Sequence, residues 1–201
     1  MELTDIHVVK SLMESHGIRF QKKFGQNFLI NKKIVSDIAE NCGAKPVDGI
    51  LEIGPGIGVL TAQLCQRYRR VVGIEIDKNL IPVLHETLSA YDNVNIICQD
   101  VMKTDLKALL KTEFSGMRVS VCANLPYYIT TPILMQLFES ELPFSHITVM
   151  VQREVADRLC AAPGTADYGA ITAAVSYYAK PRRLFTVSRG NFMPPPHVDS
   201  A

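Results

Sequence analysis

One stretch of the sequence decides the fold: Leu51-Glu52-Ile53-Gly54-Pro55-Gly56-Ile57-Gly58. An apolar run leads into a G-x-G-x-G pattern, and a segment of helical period, Val59–Leu64, follows it. Glycines let a chain turn tightly from strand to helix and approach a ligand closely. The pattern therefore predicts a strand, a candidate binding loop and a helix, with a ligand-free turn as the alternative. It is not the G-x-G-x-x-G of dinucleotide-binding proteins, and no phosphate-binding lysine follows.

Short apolar runs rich in β-branched residues alternate with helical segments along the rest of the chain. The predicted strands are Ile50–Ile53, Val71–Ile74, Val94–Ile97, Val119–Cys122 and Ile147–Val151. Helical spacing is also present at Ile133–Phe138. This alternation predicts an α/β fold of the Rossmann-like type, with a doubly wound, mostly parallel sheet.

Capping residues and prolines indicate where further elements begin and end. Asn31 is a good N-cap for a helix that ends near Gly43 and has Ile34, Val35 and Ile38 on one face. Later helices are predicted at Glu154–Ala162 and Ala170–Tyr178, and a sixth strand at Leu184–Val187. The segment Asn191–His197 contains three consecutive prolines, so it is predicted as a stiff loop outside the central sheet.

The composition is that of one ordinary globular domain. The 201 residues are 47% hydrophobic and 20% charged, and no apolar run reaches the length of a membrane span. Glu2 and Asp5 stand where a signal peptide needs a basic start, so a cytoplasmic protein without membrane contact is expected. A monomer is also expected. The five cysteines and five histidines show no ligand spacing, so reduced thiols and no metal are predicted.

The charge distribution gives no global sign of nucleic-acid binding. The net charge is only +1, so any contact with RNA must come from local patches. Candidate clusters are Arg19–Lys23, Lys32-Lys33, Arg67 with Arg69-Arg70, and Arg182-Arg183 with Arg189. Each cluster alone is more typical of a solvated surface.

Acidic residues follow two of the predicted strands. Glu75 ends the second strand, where a carboxylate can accept hydrogen bonds from both hydroxyls of a ribose. Asp100 follows the third strand, where it can accept from an adenine amino group. Either acid alone is more often a helix cap or a solvated loop residue, but together with the glycine turn they favour a nucleoside site.

The segment Asn124-Leu125-Pro126-Tyr127 follows the fourth strand, where open α/β sheets place their reacting groups. The Asn124 side-chain oxygen and the Leu125 carbonyl can accept hydrogen bonds from an adenine amino group and direct its lone pair at a methyl sulfonium. Pro126 stiffens the turn, and Tyr127 offers a face on which a base can stack. A plain proline turn at a strand end is the alternative.

Five motifs in order resemble the KsgA family of small-subunit ribosomal RNA adenine dimethyltransferases, over about residues 22–201. They are Phe24–Leu29, Glu52–Gly56, Asn124–Tyr127, Val151–Ala156 and Phe192–Ser200. The resemblance implies a class I methyltransferase fold in which residues 31–201 form the catalytic domain and residues 1–30 carry a cofactor-capping motif. It implies that S-adenosylmethionine is bound by Asn27, Leu29, Gly54, Gly56, Glu75, Ile76, Asp100, Val101 and Asn124.

The resemblance also implies the reaction. Residues Asn124–Tyr127 would hold the target amino group, and Phe192 would be a second aromatic wall, with plain packing as the alternative. The activity implied is N6,N6-dimethylation of two adjacent adenosines near the 3′ end of small-subunit ribosomal RNA, within the immature 30S-type subunit. Positioning and desolvation would be the main contributions, because no strong general base is visible.

The family continues after the position of Ala201 through another strand into a helical domain. We therefore expect this chain to bind the cofactor without RNA but to act only weakly on RNA, since affinity for nucleic acid comes mostly from neutralised phosphates. The same reasoning predicts that the loop of Phe192 is anchored by that later strand.

Three other functions are weighed against this one. A large-subunit ribosomal RNA adenine methyltransferase of the antibiotic-resistance type shares the cofactor motifs. A non-catalytic RNA-binding assembly factor could use the same fold, although it would have no use for Asn124. A nicotinamide dehydrogenase lacks support, because the G-x-G-x-x-G pattern is absent.

Overall fold

The computed structural model of the protein describes residues 1–18 and 25–201. The predicted basic cluster at Arg19–Lys23, and Phe24 of the first motif, lie outside the described residues. The helices are α1 (Ile6–Ser15), α2 (Lys32–Glu40), α3 (Val59–Cys65), α4 (Ile81–Thr87), α5 (Leu106–Glu113), α6 (Thr130–Glu139), α7 (Arg153–Leu159) and α8 (Ala170–Tyr178). The strands are β1 (Phe28–Leu29), β2 (Gly49–Ile53), β3 (Arg70–Glu75), β4 (Val94–Cys98), β5 (Val119–Asn124), β6 (Phe144–Met150) and β7 (Phe192–Met193).

The central sheet has five strands in the order β4-β3-β2-β5-β6, all parallel. Alternate strand residues face opposite sides, so that Ile50 packs into one hydrophobic cluster and Leu51 into the other. Helices α1 to α4 contribute to the first cluster and α5 to α8 to the second. Because the strands are parallel, their carboxyl ends meet at one edge, and this edge positions the site.

The predicted doubly wound fold is confirmed, and each of the five predicted core strands is present. Asn31 caps α2 as predicted, since its side-chain oxygen accepts from the backbone N–H groups of Lys33 at 3.1 Å and Ile34 at 3.3 Å. Helix α8 has the predicted bounds, whereas α7 ends three residues before the predicted Ala162, at Leu159.

The predicted sixth strand at Leu184–Val187 is wrong. Only Val187 pairs, through reciprocal backbone hydrogen bonds of 2.8 Å with Ser200. A strand needs a partner backbone along its length, and the described residues supply one for Val187 alone.

The predicted loop at Asn191–His197 needs a smaller correction. It lies outside the central sheet, as predicted, but it begins with β7, which pairs antiparallel with β1 in a separate two-stranded sheet. The pairing ends where the prolines begin, because proline donates no backbone hydrogen bond. The loop of Phe192 is therefore held by residues 28–29 of the N-terminal segment. Its anchoring by a later strand stays a prediction.

Sequence reasoning missed three helices, α1, α4 and α5. Helix α1 is capped by Asp5, whose carboxylate accepts from the backbone N–H of His7 at 2.8 Å, and it buries Val9, Leu12 and Met13 in the first cluster. The N-terminal segment thus shares a core with the sheet, and the boundary at residue 30 stays a prediction.

Within residues 1–18 and 25–201, none of the helices combines the length and apolar character that crossing a membrane requires.

Candidate active site

A cavity of about 90 Å³ lies where β2, β3 and β5 end, beneath the N-terminal residues 25–29. Strand direction brings its walls together from distant parts of the sequence. The predicted site residues that line it are Asn27, Leu29, Gly54, Gly56, Glu75, Ile76, Asn124, Leu125, Pro126 and Tyr127.

The glycine turn after β2 has left-handed backbone and leaves space beside it. Gly54 has φ +71°, and a side chain built there would meet no heavy atom within 4 Å. Gly56 has φ +62°, and its Cβ would lie 3.0 Å from the Phe28 ring. Gly54 therefore leaves room for a ligand to approach the backbone, whereas Gly56 is required by packing.

Glu75 lies at the end of β3 and is almost fully buried. Its Oε2 accepts from the backbone N–H of Gly56 at 2.9 Å, and its Oε1 accepts from that of Asp77 at 2.9 Å. Burial raises the pKa of Glu75 above its ordinary value, and these backbone donors offset part of the rise. Each carboxylate oxygen keeps accepting capacity, which is what two neighbouring ribose hydroxyls need.

The N-terminal segment closes over this edge through side-chain hydrogen bonds. Gln26 donates to Asp77 at 2.8 Å, beyond the end of β3. Asn27 donates to the Gly25 carbonyl at 3.0 Å, and its own backbone carbonyl accepts from the Asn124 amide nitrogen at 3.3 Å. Because the Asn124 nitrogen is held by Asn27, the amide oxygen is the atom left to face a ligand.

The turn that follows Asn124 is fixed on both sides. Leu125 is buried, and its backbone N–H donates to Met150 at 3.1 Å. The Tyr127 hydroxyl shares a hydrogen bond of 2.5 Å with the Ser200 hydroxyl. The Tyr127 ring is therefore tethered toward the C-terminal residues.

Three predicted site residues do not line the cavity. Asp100 caps a short 3₁₀ helix at Val101–Lys103, with its carboxylate accepting from the Met102 backbone at 3.0 Å, and Val101 is buried beside it. Phe192 is a core residue with 2% exposure, which fits the packing alternative. A role for Phe192 as a base wall requires the ring to be uncovered, and for all three residues the site role stays a prediction.

Sequence reasoning missed Glu52 as an individual residue. Glu52 lines the cavity from inside β2 with 1% exposure, and its Oε2 has no hydrogen-bond partner among the described residues. Burial raises the pKa of Glu52 to about 8, the neighbouring Thr61 hydroxyl offsets part of the rise, and the charge of Glu75 adds to it. The sequence did contain a signal for Glu52, which is an acidic residue within an apolar strand. Such a group is costly to bury, so its presence there indicates a functional role.

A second missed residue is Tyr128, which also lines the cavity and is 57% exposed. Its signal was weak, because it directly follows a motif that already contained a tyrosine.

A larger cavity of about 1210 Å³ lies along the free edge of β6. Its walls include Phe144, Ile147, Val149 and Phe185. Its lining does not include the glycine turn, Glu52 or Glu75. Its size therefore reflects an uncovered sheet edge and not the site of chemistry. Across the described ranges, no group of three or more His, Cys, Asp or Glu side chains is arranged to hold a metal ion.

The donors and acceptors fit S-adenosylmethionine. Glu75 can accept from a ribose, the space beside Gly54 admits a ligand to the backbone, and the unpartnered Glu52 carboxyl offers a further polar contact in the same cavity. Together with the sheet order, these features define a Rossmann-like fold of the class I methyltransferases.

The chain belongs to the ribosomal RNA adenine dimethylase family, whose model matches residues 17–201. Ribosomal RNA small subunit methyltransferase A of Shouchella clausii is 52% identical over 192 residues, which cover 95% of this chain and 65% of that protein. The chain thus spans about two thirds of the length of this relative.

Two solved structures are similar to the chain over most of its length. A dimethyladenosine transferase from Plasmodium falciparum has a TM-score of 0.75 and 31% identity, covering 86% of this chain and 60% of that one. The 23S rRNA methyltransferase ErmE has a TM-score of 0.71 and 30% identity, covering 87% of this chain and 67% of that one.

Proposed function

We propose that this chain is the catalytic part of an S-adenosylmethionine-dependent enzyme that dimethylates N6 of two adjacent adenosines near the 3′ end of small-subunit ribosomal RNA. The observation that carries the proposal is the orientation of Asn124. Its amide nitrogen is held by the Asn27 carbonyl, so its oxygen is free to accept from an exocyclic amino group at the cavity.

S-adenosylmethionine supplies a methyl group on a positively charged sulfur. Glu75 would accept hydrogen bonds from the ribose of this cofactor. The backbone of the turn at Gly54 and Gly56 would lie close to the cofactor. Asn27 and Leu29 would close the cavity from the N-terminal segment, because they line it and are tied to Asn124 and β7.

Asn124 would act on the nucleophile. The lone pair of an adenine amino group is delocalised into the ring, and acceptors that hold its N–H groups direct the lone pair out of the ring plane. The Asn124 oxygen and the Leu125 carbonyl are two such acceptors at the end of one strand. A second transfer to the same nitrogen needs only one of them, since a single N–H remains after the first methylation. No base is required while the methyl group moves, and the proton leaves afterwards, so positioning supplies most of the rate enhancement.

The proposal that the substrate is small-subunit RNA is supported by the sequence identities. The chain is 52% identical to a small subunit methyltransferase and 30% identical to a 23S rRNA methyltransferase. We expect the enzyme to work as a cytoplasmic monomer on the immature 30S-type subunit, without a metal ion.

The test measures transfer of labelled methyl groups to ribosomal subunits from an unmethylated strain, with enzyme in excess. Label in small subunits, on adenosines that become N6,N6-dimethylated, is expected. Label in large subunits alone would support the antibiotic-resistance type instead. Saturable cofactor binding without label in either subunit, also with a chain extended to the full length of the relatives, would favour the non-catalytic assembly factor.

A further inference from the structure

Tyr128 lies at the mouth of the cavity and has no part in the proposed reaction. It lines the cavity together with Gly25, Glu75 and Asn124, yet it is 57% exposed. Exposed aromatic surface is unfavourable in water, and removing it from water by packing stabilises a complex. A ring in this place is suited to pack against whatever enters the cavity.

The Tyr128 ring lies close to Gly25, in the N-terminal segment that lines the cavity. A Cβ added to Gly25 would lie 3.4 Å from Cδ1 and 3.7 Å from Cε1 of Tyr128, which is van der Waals contact. The ring therefore lies between Gly25 and the turn after β5, beside the cavity that both line.

The hydroxyl of Tyr128 is within electrostatic reach of the two predicted nucleoside-binding acids. Partial burial raises the pKa of this hydroxyl, and the negative charges of Asp100 and then Glu75 raise it further. The side chain also lines the same cavity as Glu75, the acid assigned to the ribose of the cofactor.

The two consecutive tyrosines point to different places. The Tyr127 hydroxyl meets Ser200 at 2.5 Å, beside the loop that carries Phe192. The hydroxyl of Tyr128 instead has the charges of Asp100 and Glu75 near it. This divergence assigns Tyr127 to the side of the target base and Tyr128 to the side of the cofactor.

We infer that Tyr128 is a cofactor-binding residue whose ring covers the adenosine of S-adenosylmethionine and holds it against Glu75. The inference rests on the proposed function and adds a contact on the face opposite the sheet. An adenine offers a π face on which a phenol ring packs, and the same contact shields the hydrogen bonds to Glu75 from water.

Calorimetry on the 201-residue chain tests the inference. Tyr128→Ala should raise the Kd for S-adenosylhomocysteine about 10-fold, equal to about 1.4 kcal/mol. The Kd for 5′-methylthioadenosine should rise by a similar factor, because that ligand keeps the adenosine and lacks the amino-acid end. Tyr128→Phe should stay within about 2-fold of the unaltered chain, since the ring is retained.

Tyr177 provides the matched control. It is 83% exposed and lies beside the larger cavity, away from the proposed site. Tyr177→Ala should leave both Kd values unchanged. The melting temperature without ligand separates a loss of contact from a loss of fold, and it should change little in Tyr128→Ala.

A second measurement uses fluorescence, because the sequence contains no tryptophan. Tyr128→Trp places a single indole at the proposed contact, and its emission should change on titration with 5′-methylthioadenosine, with the Kd found by calorimetry. The emission of Tyr177→Trp should not respond.

Unchanged nucleoside affinity in Tyr128→Ala overturns the inference. So does a fluorescence emission of Tyr128→Trp that stays the same when the ligand is added. Unchanged affinity with slower methylation of RNA would place Tyr128 against the target instead. If the unaltered chain binds neither nucleoside, the proposed function itself fails, and that result is distinct from a failure confined to Tyr128.

Discussion

The amide nitrogen of Asn124 donates to the backbone carbonyl of Asn27 at 3.3 Å. This hydrogen bond joins the end of β5 to the N-terminal residues 25–29, and its two partners are 97 residues apart in the chain. It also determines which end of the amide faces the cavity, so in the proposed function the segment that lines the cofactor site orients the group that acts on the target.

Replacing Asn124 should therefore affect turnover more than cofactor affinity. In the full-length enzyme, Asn124→Ala is expected to lower the single-turnover rate of methylation by about 10²–10³-fold, the usual effect of removing one positioned group that acts in the transition state. The cofactor Kd should change by less than about 5-fold. Asn41→Ala is the matched control, because Asn41 is exposed at the end of α2. Normal turnover in Asn124→Ala would remove this residue from the mechanism.

Glu75→Ala should weaken cofactor binding most. A hydrogen bond to a charged acceptor contributes about 1.5–3 kcal/mol, so losing the ribose contacts is expected to raise the Kd by about 100-fold or more. Calorimetry in the absence of RNA measures the change, and circular dichroism checks that the variant is folded. Glu139→Ala, at an exposed position on α6, should bind as the unaltered chain does. Equal affinity in the two variants would contradict the ribose assignment.

A pair of glycines separates backbone strain from ligand contact. Gly54 and Gly116 have φ +71° and +73°, and a Cβ at either position meets no heavy atom within 4 Å. Each alanine variant should lose about 1–2 kcal/mol of stability, because left-handed backbone strains any side chain. Only Gly54→Ala should raise the cofactor Kd, by about 10-fold or more, since its methyl group would fill the ligand's space. Similar Kd values in the two variants would show that the cofactor does not approach this turn.

Glu52 should make stability fall as the pH rises. Its ordinary pKa of 4.5 is raised to about 8 in the folded chain, so between these values the folded state keeps a proton that the unfolded state releases. The free energy of unfolding is then unaffected by Glu52 below about pH 4.5 and decreases by up to about 1.4 kcal/mol per pH unit until about pH 8.

Glu52→Gln removes this ionisation at similar volume. Its stability relative to the unaltered chain should be lowest near pH 4.5 and should increase steadily toward pH 8, measured by urea denaturation without cofactor. Glu14→Gln, at an exposed position on α1, should leave the slope unchanged. Identical pH profiles for Glu52→Gln and the unaltered chain would mean that Glu52 is ionised in the fold.

The parts of the fold that the sequence predicts well are those with a local cause. The three central strands β2, β3 and β5 are buried on both faces, so each one is a short apolar run that stands out in the sequence. Helix α2 has a capping asparagine at Asn31, and α8 directly follows Gly169. Helices α4 and α5 were missed although Pro82 and Asp105 are good starting signals for them.

Features with a distant cause could not be predicted. Nothing near Phe28 indicates that its backbone pairs with that of Met193, and nothing near Leu184 indicates that, among the described residues, only Val187 of this segment finds a partner. The burial of Phe192 follows from the same pairing, and it is why a residue expected at the site lies in the core.

The site was predictable to the extent that strand ends define it. The rule that parallel strands end at one edge brought Gly54, Glu75 and Asn124 together correctly. It also selected Asp100, whose carboxylate caps a short helix in the structure. The rule says nothing about residues inside a strand or after a turn, so Glu52 and Tyr128 needed the three-dimensional arrangement.

The pairing of β1 with β7 has a consequence for the order in which the protein is built. It is reinforced by the hydrogen bond between Asn31 and Asn191, which are 160 residues apart. Contacts so distant in sequence form late, because closing a long loop is entropically costly until the intervening chain has folded. During synthesis the sheet, the glycine turn and Asn124 can be in place while residues 25–29 still lack the partner strand that holds them. Residues 25–29, which line the proposed cofactor site, are therefore among the last parts of the chain to reach their final position. They do so only after Phe192 and Met193 have been synthesised.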